Sequence, residues 1–415
     1  MIFEEKSSST VTEKLQAAID RAAELSEELV VKPGVYVVGT VFLRSNLKLK
    51  LEEGAVILGS EEFCDYSDKV DLFTDAVDHQ RGRSLIYADG ISDVEISGGG
   101  IIDGRGGCFS TQHPNHEERP FLVRILNSKN IKISGITLKN PAAWTLHMLG
   151  CENVSVNGLY IHSRVNANND AIDVDSCRNV RIENCRIDSG DDAICLKSTY
   201  NKPCSDIFVS GCVITTAWAG FKVGTESVGD FENIVFRDSC IYDCGGCAIK
   251  LCPVDGASLR GLEIKNVQLI NVTGPIFIAN GSRMRVYHKG HEKTIPGSIS
   301  DVLIENVSGS CCDAVGTVYK GEAWGNAKTA VCISGTADRP AENITLRNIS
   351  LKMAGGVEEY TKKEVPEMGD RYPEFHNFGI LPASGIYIRH AKNVRTENVS
   401  FKFAKKDVRP EIVEN

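Results

Sequence analysis

The chain has 415 residues, of which 42% are hydrophobic and 24% charged, a balance that fits a folded globular protein and excludes a low-complexity or disordered one. Its formal net charge of −9 argues against a general nucleic-acid binder and against a basic membrane-binding surface. The start, "MIFEEKSSSTVTEKLQ", lacks a basic segment followed by an apolar one, and no apolar run is long enough to span a membrane. The expectation is a cytoplasmic protein whose fifteen cysteines are free thiols. Length alone suggests two domains. A repeat array grows by adding coils instead, and the repeats below predict one domain over 1–415.

The first element is "TEKLQAAIDRAAEL", where Leu15, Ala18, Ile19, Ala22 and Leu25 recur at helical spacing behind Thr12 as N-cap. A short helix within about 10–30 would cap the open first coil of a solenoid. "KPGVYVVGTVFLRSNLKLKLEEGAVILGS" then reads as the first strands. From there one pattern recurs, as "NIKISGITL" at Asn130, "NVSVNGLYI" at Asn153, "NVRIENCRI" at Asn179, "DIFVSGCVI" at Asp206 and "NIVFRDSCI" at Asn233. Weaker copies start at Asp93, Gly261, Asp301, Asn343 and Asn393. Each copy holds two short alternating strands broken by a polar corner, and it can bury its apolar side only against the next copy. The predicted fold is therefore all-β, a single-stranded right-handed parallel β-helix with a short N-terminal capping helix. Cys151, Cys177 and Cys204 share one repeat position and Cys185 and Cys212 another, which predicts ladders of small buried side chains. Polar insertions near 280–300 and 354–382 interrupt the pattern and read as loops.

Between repeat starts lies a third strand: "WTLHML", "DAIDVD", "DAICLK", "AGFKVG" and "CAIKLC". Aligning these puts Leu146, Ile172, Ile194, Phe221 and Ile249 in one inward column, with Met148, Val174, Leu196, Val223 and Leu251 in a second. His147, Asp173, Cys195, Lys222 and Lys250 then point outward. Asp170 and Asp192 begin corresponding strands, and Asp191 adjoins the latter. Like charges gathered there would raise at least one carboxyl pKa, as a general acid requires. A lone aspartate at such a corner would be read as a turn residue bonding its own backbone.

These segments resemble the polygalacturonase-like enzymes of glycoside hydrolase family 28 over nearly the whole chain. That family carries Asn-Thr-Asp-Gly-x-Asp, then Gly-Asp-Asp, Gly-His-Gly and Arg-Ile-Lys. Here the first two stand as "NNDAID" and "GDDAICLKS". The resemblance implies Asp191 as general acid, with Asp170 and Asp192 holding and deprotonating water, and inversion at the anomeric carbon. Spacing alone leaves retaining and inverting pairs both open. The chain departs from the family twice, with Ala219 at the histidine and Ala248 at the arginine, while Lys250 is kept. A missing arginine removes a bidentate grip on a substrate carboxylate.

Around these aspartates, Asp173 faces the expected groove, and Lys222 and Lys250 suggest an anionic sugar or else neutralise neighbouring aspartates. Glu226 and Asp255 would bond sugar hydroxyls or be solvated turn residues, and His147 and Arg283 are further substrate-binding candidates. Asp175 reads as a strand-end residue without chemistry. Cys244, Cys247 and Cys252 lack a second paired ligand set, so no metal is expected. "GGGIIDGRGG" precedes no helix, so neither a nucleotide nor any other cofactor is expected. The reading is a glycoside hydrolase acting on pectin-type (galacturonide or rhamnogalacturonan) or other acidic oligosaccharides, with no nucleic-acid or membrane partner. Its rivals are an exo-glycosidase removing a neutral terminal sugar such as rhamnose, a lyase or epimerase using a lysine base with Ca²⁺, and a non-catalytic carbohydrate-binding β-helix.

Overall fold

The computed structural model describes all residues except 6–9, 314–324, 327, 362 and 368. The expected helix spans Thr12–Leu25 and buries Leu15, Ile19, Ala22 and Ala23. Leu25, assigned to that face from the spacing, is instead 42% exposed, because Ala23 takes the covered position. Thr12 is the first helical residue and not its N-cap, which is Val11 without a side-chain cap bond. The Thr12 hydroxyl is otherwise engaged, accepting the Gly39 amide at 2.9 Å. Gln16 ties the helix to the first strands by accepting from the Phe42 amide and donating to its carbonyl, at 2.7 and 2.9 Å.

The regular structure beyond it is almost all parallel strand, a parallel β-helix as the repeats require, and the chain divides into two compact units, Met1–Asp191 and Asp192–Asn415. In the first unit, Ser92–Gly98, Lys129–Ser134, Glu152–Asn157 and Arg178–Glu183 stack in register. The third-strand ladder of that unit runs through Ser84–Asp89, Phe121–Leu126, Leu146–Leu149 and Ile172–Asp175. In the second unit Ile194–Ser198 pairs with Phe221–Ser227, which pairs with the end of Phe231–Pro253. The ladder continues through Leu259–Ala279, Val331–Ser334 and Ile386–Arg389. Within each unit the inward columns are found as aligned, and Leu146, Ile172, Ile194, Phe221 and Ile249 are all fully buried. Burial of each such side chain contributes about 1.5–3 kcal/mol.

The residue that opens each repeat has a specific backbone task. Asn130, Asn153, Asn179, Asp206, Asn233, Asp301, Asn343 and Asn393 all have φ between 53° and 58°, the left-handed conformation. Asparagine and aspartate tolerate it best among residues with a side chain, and Gly261 (φ 68°) takes the same corner in another coil. Within each unit the corner amides also bond one another, Asn179 to Asn153 at 2.7 Å and Asn153 to Asn130 at 3.1 Å in the first. Asn393 to Asn343 (3.1 Å) and Asn343 to Asp301 (2.9 Å) repeat the arrangement in the second. The cysteine columns are buried as expected, and all fifteen cysteines are free thiols.

The insertions near 280–300 and 354–382 emerge as loops, between strands ending at Ala279 and Gly355 and strands starting at Ile299 and Ile386. Residues 362 and 368 of the second lie outside the described residues. Two excursions absent from the sequence reading leave the first unit: one carries the 3₁₀ turn Phe63–Asp65 and the antiparallel pair Phe73–Thr74 and Gln80–Arg81, the other the 3₁₀ turn Gly106–Phe109.

Candidate active site

In the first unit the segment "NNDAID" is anchored by its two asparagines. The Asn169 side-chain oxygen accepts the amides of Val165 and Asn166 at 2.9 and 2.7 Å, and its NH₂ donates to the carbonyls of Pro141 and Ala143. Asn168 adopts φ 53°, and its side-chain oxygen accepts from Arg81 and Arg119 at 3.2 and 3.0 Å. Arg81 is fixed in turn by a buried ion pair to Asp75 at 2.8 Å. The peptide of Asp170 is held where its carbonyl accepts the Thr145 amide at 2.9 Å. Asp170 is 4% exposed, whereas Asp191 keeps partial access to solvent. Their carboxylate oxygens lie within 4.8 Å of one another. Such a pair could hold a divalent cation whose remaining ligands are water or carbonyl oxygens.

His147 and Asp173 stand side by side on the outward row, as aligned. Neither lies open to a groove: they are 1% and 0% exposed. His147 sits among Phe73, Phe121 and Trp144, accepts from Arg124 Nε at 3.3 Å on Nδ1, and has Nε2 3.6 Å from the Asp175 carboxylate. It is an internal link rather than an exposed sugar contact. Asp175 is likewise no idle strand end, being buried against His147 and accepting from Ser176 at 2.8 Å.

In the second unit, Lys222 stands beside Cys195 on one flank and Lys250 on the other. The Lys222 ammonium is 2.5 Å from the Asp192 carboxylate, with both side chains under 5% exposed. Burial alone would push this lysine down, but the attraction of Asp192, aided by Tyr372, outweighs it and holds the pKa well above its ordinary value. Lys250 is raised in the same way, burial being overcome by Glu374 at 2.5 Å. Glu226 and Asp255 are not solvated turn residues. Glu226 is 3% exposed and meets Lys197 at 2.5 Å. Asp255 receives Arg283 in a bidentate fork at 2.8 and 2.6 Å, together with the Tyr287 hydroxyl at 2.9 Å. Arg283 also donates to the Thr225 carbonyl at 2.8 Å. The adjoining Gly224 has φ 86°, and a Cβ there would come within 2.2 Å of the Cys252 carbonyl oxygen, so only glycine fits.

Two residues central to this arrangement escaped the sequence reading. Tyr372 places its ring 5.4, 5.5 and 5.9 Å from the cationic groups of Arg283, Lys250 and Lys222, and its hydroxyl 3.3 Å from the Lys222 ammonium. Glu374 supplies the counter-charge to Lys250. Both lie in the 354–382 insertion, which carries no repeat register, so no pattern pointed to them. Beyond Lys250 the outward row continues as Phe277, Cys332 and Tyr387. The same insertion covers it: Phe375 stacks on Phe277 at 4.9 Å, and Phe378 meets that ring edge-on at 5.4 Å.

Parallel strands stacked coil on coil within each unit define a parallel β-helix. The profile of Glycosyl hydrolases family 28 matches residues 47–369, and the chain belongs to that family. A probable polygalacturonase of Vitis vinifera is 26% identical over 323 residues, covering 72% of this chain and 66% of the relative. The exo-poly-alpha-D-galacturonosidase of Dickeya chrysanthemi is 28% identical over 319 residues, covering 63% of this chain and 52% of the relative. The chain thus spans less than two thirds of either relative's length. In fold it is similar to the Thermotoga maritima exopolygalacturonase (TM-score 0.70, 20% identity, 83% of this chain and 84% of that one). It is equally similar to the Yersinia enterocolitica family 28 exopolygalacturonase (TM-score 0.70, 16% identity, 99% and 75%).

Proposed function

We propose that this protein hydrolyses glycosidic bonds in pectin-type, galacturonate-containing oligosaccharides. The observation that carries the reading is the close pair Asp170 and Asp191, one buried and one partly open, in a family 28 chain. Asp191 gives its proton to the glycosidic oxygen as the C1–O bond breaks. Water attacks C1, and its proton passes to the carboxylate of Asp170 or of Asp192, the chain neighbour of Asp191. Lys222 orients Asp192 through their 2.5 Å contact, a task suited to the position next to the histidine the chain lacks. The outcome at C1 is inversion. That stereochemistry is carried by the family likeness, since a gap under 4.8 Å falls short of the ~6.5–9.5 Å usual for inverting pairs.

The wall of Phe375 and Phe378 over Phe277 favours release of terminal units over internal cleavage. A lyase or epimerase would need a lysine able to lose its proton near neutral pH, whereas Lys222 and Lys250 are both raised. Chromatography of products from oligogalacturonides and rhamnogalacturonan fragments, with Asp191→Asn as control, tests the activity. Proton NMR of the first-formed anomer tests inversion. No release of reducing sugar from any of these would refute the proposal, and an unsaturated product would replace it with the lyase. A cytoplasmic location, in keeping with the free thiols, is part of the same proposal and is checked by cell fractionation.

A further inference from the structure

Among the described residues, each of the three cations that face the Tyr372 ring already has a carboxylate of this same chain. Lys222 is matched by Asp192, Lys250 by Glu374 and Arg283 by Asp255, at 2.5, 2.5 and 2.6 Å. Three positive and three negative groups cancel, so the floor beside the Tyr372 ring carries no net charge to attract an anion. The pairs are not loose surface contacts that a ligand could displace. Lys250 is 1% exposed and Glu374 7%, and the Glu374 carbonyl accepts the Asn377 amide at the start of the turn that Phe375 clamps on Phe277. An incoming sugar carboxylate would have to evict Glu374 and strand a buried charge, or else lie unpaired beside it; both outcomes are unfavourable.

We propose that this floor is a subsite for an uncharged sugar ring, and that Glu374 is the specificity-determining residue that keeps a uronate off Lys250. The inference rests on the glycosidase reading and narrows it. The oligosaccharide carries galacturonate elsewhere, but the unit seated beside Tyr372 is neutral. Tyr372, half-buried, contributes its ring and hydroxyl to that unit, while Asp255 and Glu374 stay committed to Arg283 and Lys250. Ala248, standing where the family has arginine, agrees with this subsite, because the arginine's usual counter-ion is not expected there.

The test is calorimetric titration of wild-type protein with galactose, galacturonate methyl ester and galacturonate, which differ in charge at C6 and little else. The two neutral sugars should bind about tenfold tighter than galacturonate. Glu374→Gln should tighten galacturonate about tenfold, in a manner weakened by salt, while changing the neutral sugars little. Equal or tighter binding of galacturonate by wild type, an unchanged ratio in Glu374→Gln, or no binding of any of the three would overturn the subsite. Should Glu374→Gln fold poorly, Lys250→Met/Glu374→Gln removes both charges and should keep the neutral preference; a preference for galacturonate there would also overturn it. Turnover separates the two readings. The expected binding ratio without cleavage of any oligosaccharide leaves the subsite standing and ends the glycosidase reading. Equally fast removal of terminal galacturonate and terminal neutral sugar does the reverse.

Discussion

The Lys222 ammonium and the Asp192 carboxylate lie 2.5 Å apart, both nearly sealed from water. Two charges so placed depend on each other, because each would be left uncompensated in a buried site without its partner. Lys222→Met should destabilise the fold by about 3–5 kcal/mol in chemical denaturation. Lys222→Arg, which keeps the charge, should recover much of that loss. Equal stability of the methionine variant and wild type would mean the pair contributes nothing.

The same pair gives a pH signature. Because the folded-state pKa of Lys222 is raised, its stabilisation is fully present below the unfolded value of about 10.4. It is lost only as pH climbs through the folded value. Denaturation free energies measured from pH 7 to pH 10 should therefore show no loss traceable to Lys222, and the wild-type advantage over Lys222→Met should stay constant across that window.

Acid should act elsewhere, through Asp407. Burial raises its carboxyl pKa, but the hydrogen bonds and charge of Arg409 outweigh that and hold it below its ordinary value. A depressed carboxyl stabilises fully above the unfolded pKa of about 3.9 and loses that contribution as pH falls through the folded one. Asp407→Asn should accordingly lower the melting temperature at pH 7 and approach wild type near pH 3, as thermal scans at the two values would reveal.

Asp191→Asn should reduce turnover by about 10²–10⁴, the usual worth of a general acid, while sparing stability because Asp191 is partly open to solvent. Initial rates and melting curves on the same preparation check both halves. By contrast, Asn169→Ala removes four hydrogen bonds to backbone, two of them buried. It should cost stability by about 1–3 kcal/mol or more and lower turnover as well, by loosening the turn that carries Asp170 into the strand Ile172–Asp175.

Thiol reactivity should follow burial. Cys244 and Cys252 are pushed up to about 12 by burial, and a protonated thiol does not alkylate readily. Cys64 is exposed. Brief iodoacetamide treatment at pH 8 followed by mass spectrometry should label Cys64 first and leave Cys244 and Cys252 untouched.

What could be read from sequence was whatever repeats. The columns through Ile172 and Ile194, and the outward positions of Lys222 and Lys250, follow from the two-residue period of strands and from coil spacing. The corner asparagines were visible as a pattern, although their reason, a left-handed backbone with amides bonded from coil to coil, needed coordinates. Tyr372 and Glu374 were invisible because a loop has no register to align. For Glu226 and Asp255 the pattern left sugar contact and solvated turn both open, because their cationic partners, Lys197 and Arg283, lie 29 and 28 residues away along the chain. His147 and Asp173 take their places on the outward row, but no repeat pattern pointed to the aromatic excursion around Phe73 that accompanies His147's burial.

The asparagine corner has a consequence for how such a chain can change in length. Each corner asks only for a residue at ease in one backbone conformation and for an amide above or below it. Coils joined in that way are interchangeable parts, like links in a watch strap. One could be duplicated or removed far from Asp170 and Asp191 without altering any bond that holds those two carboxylates.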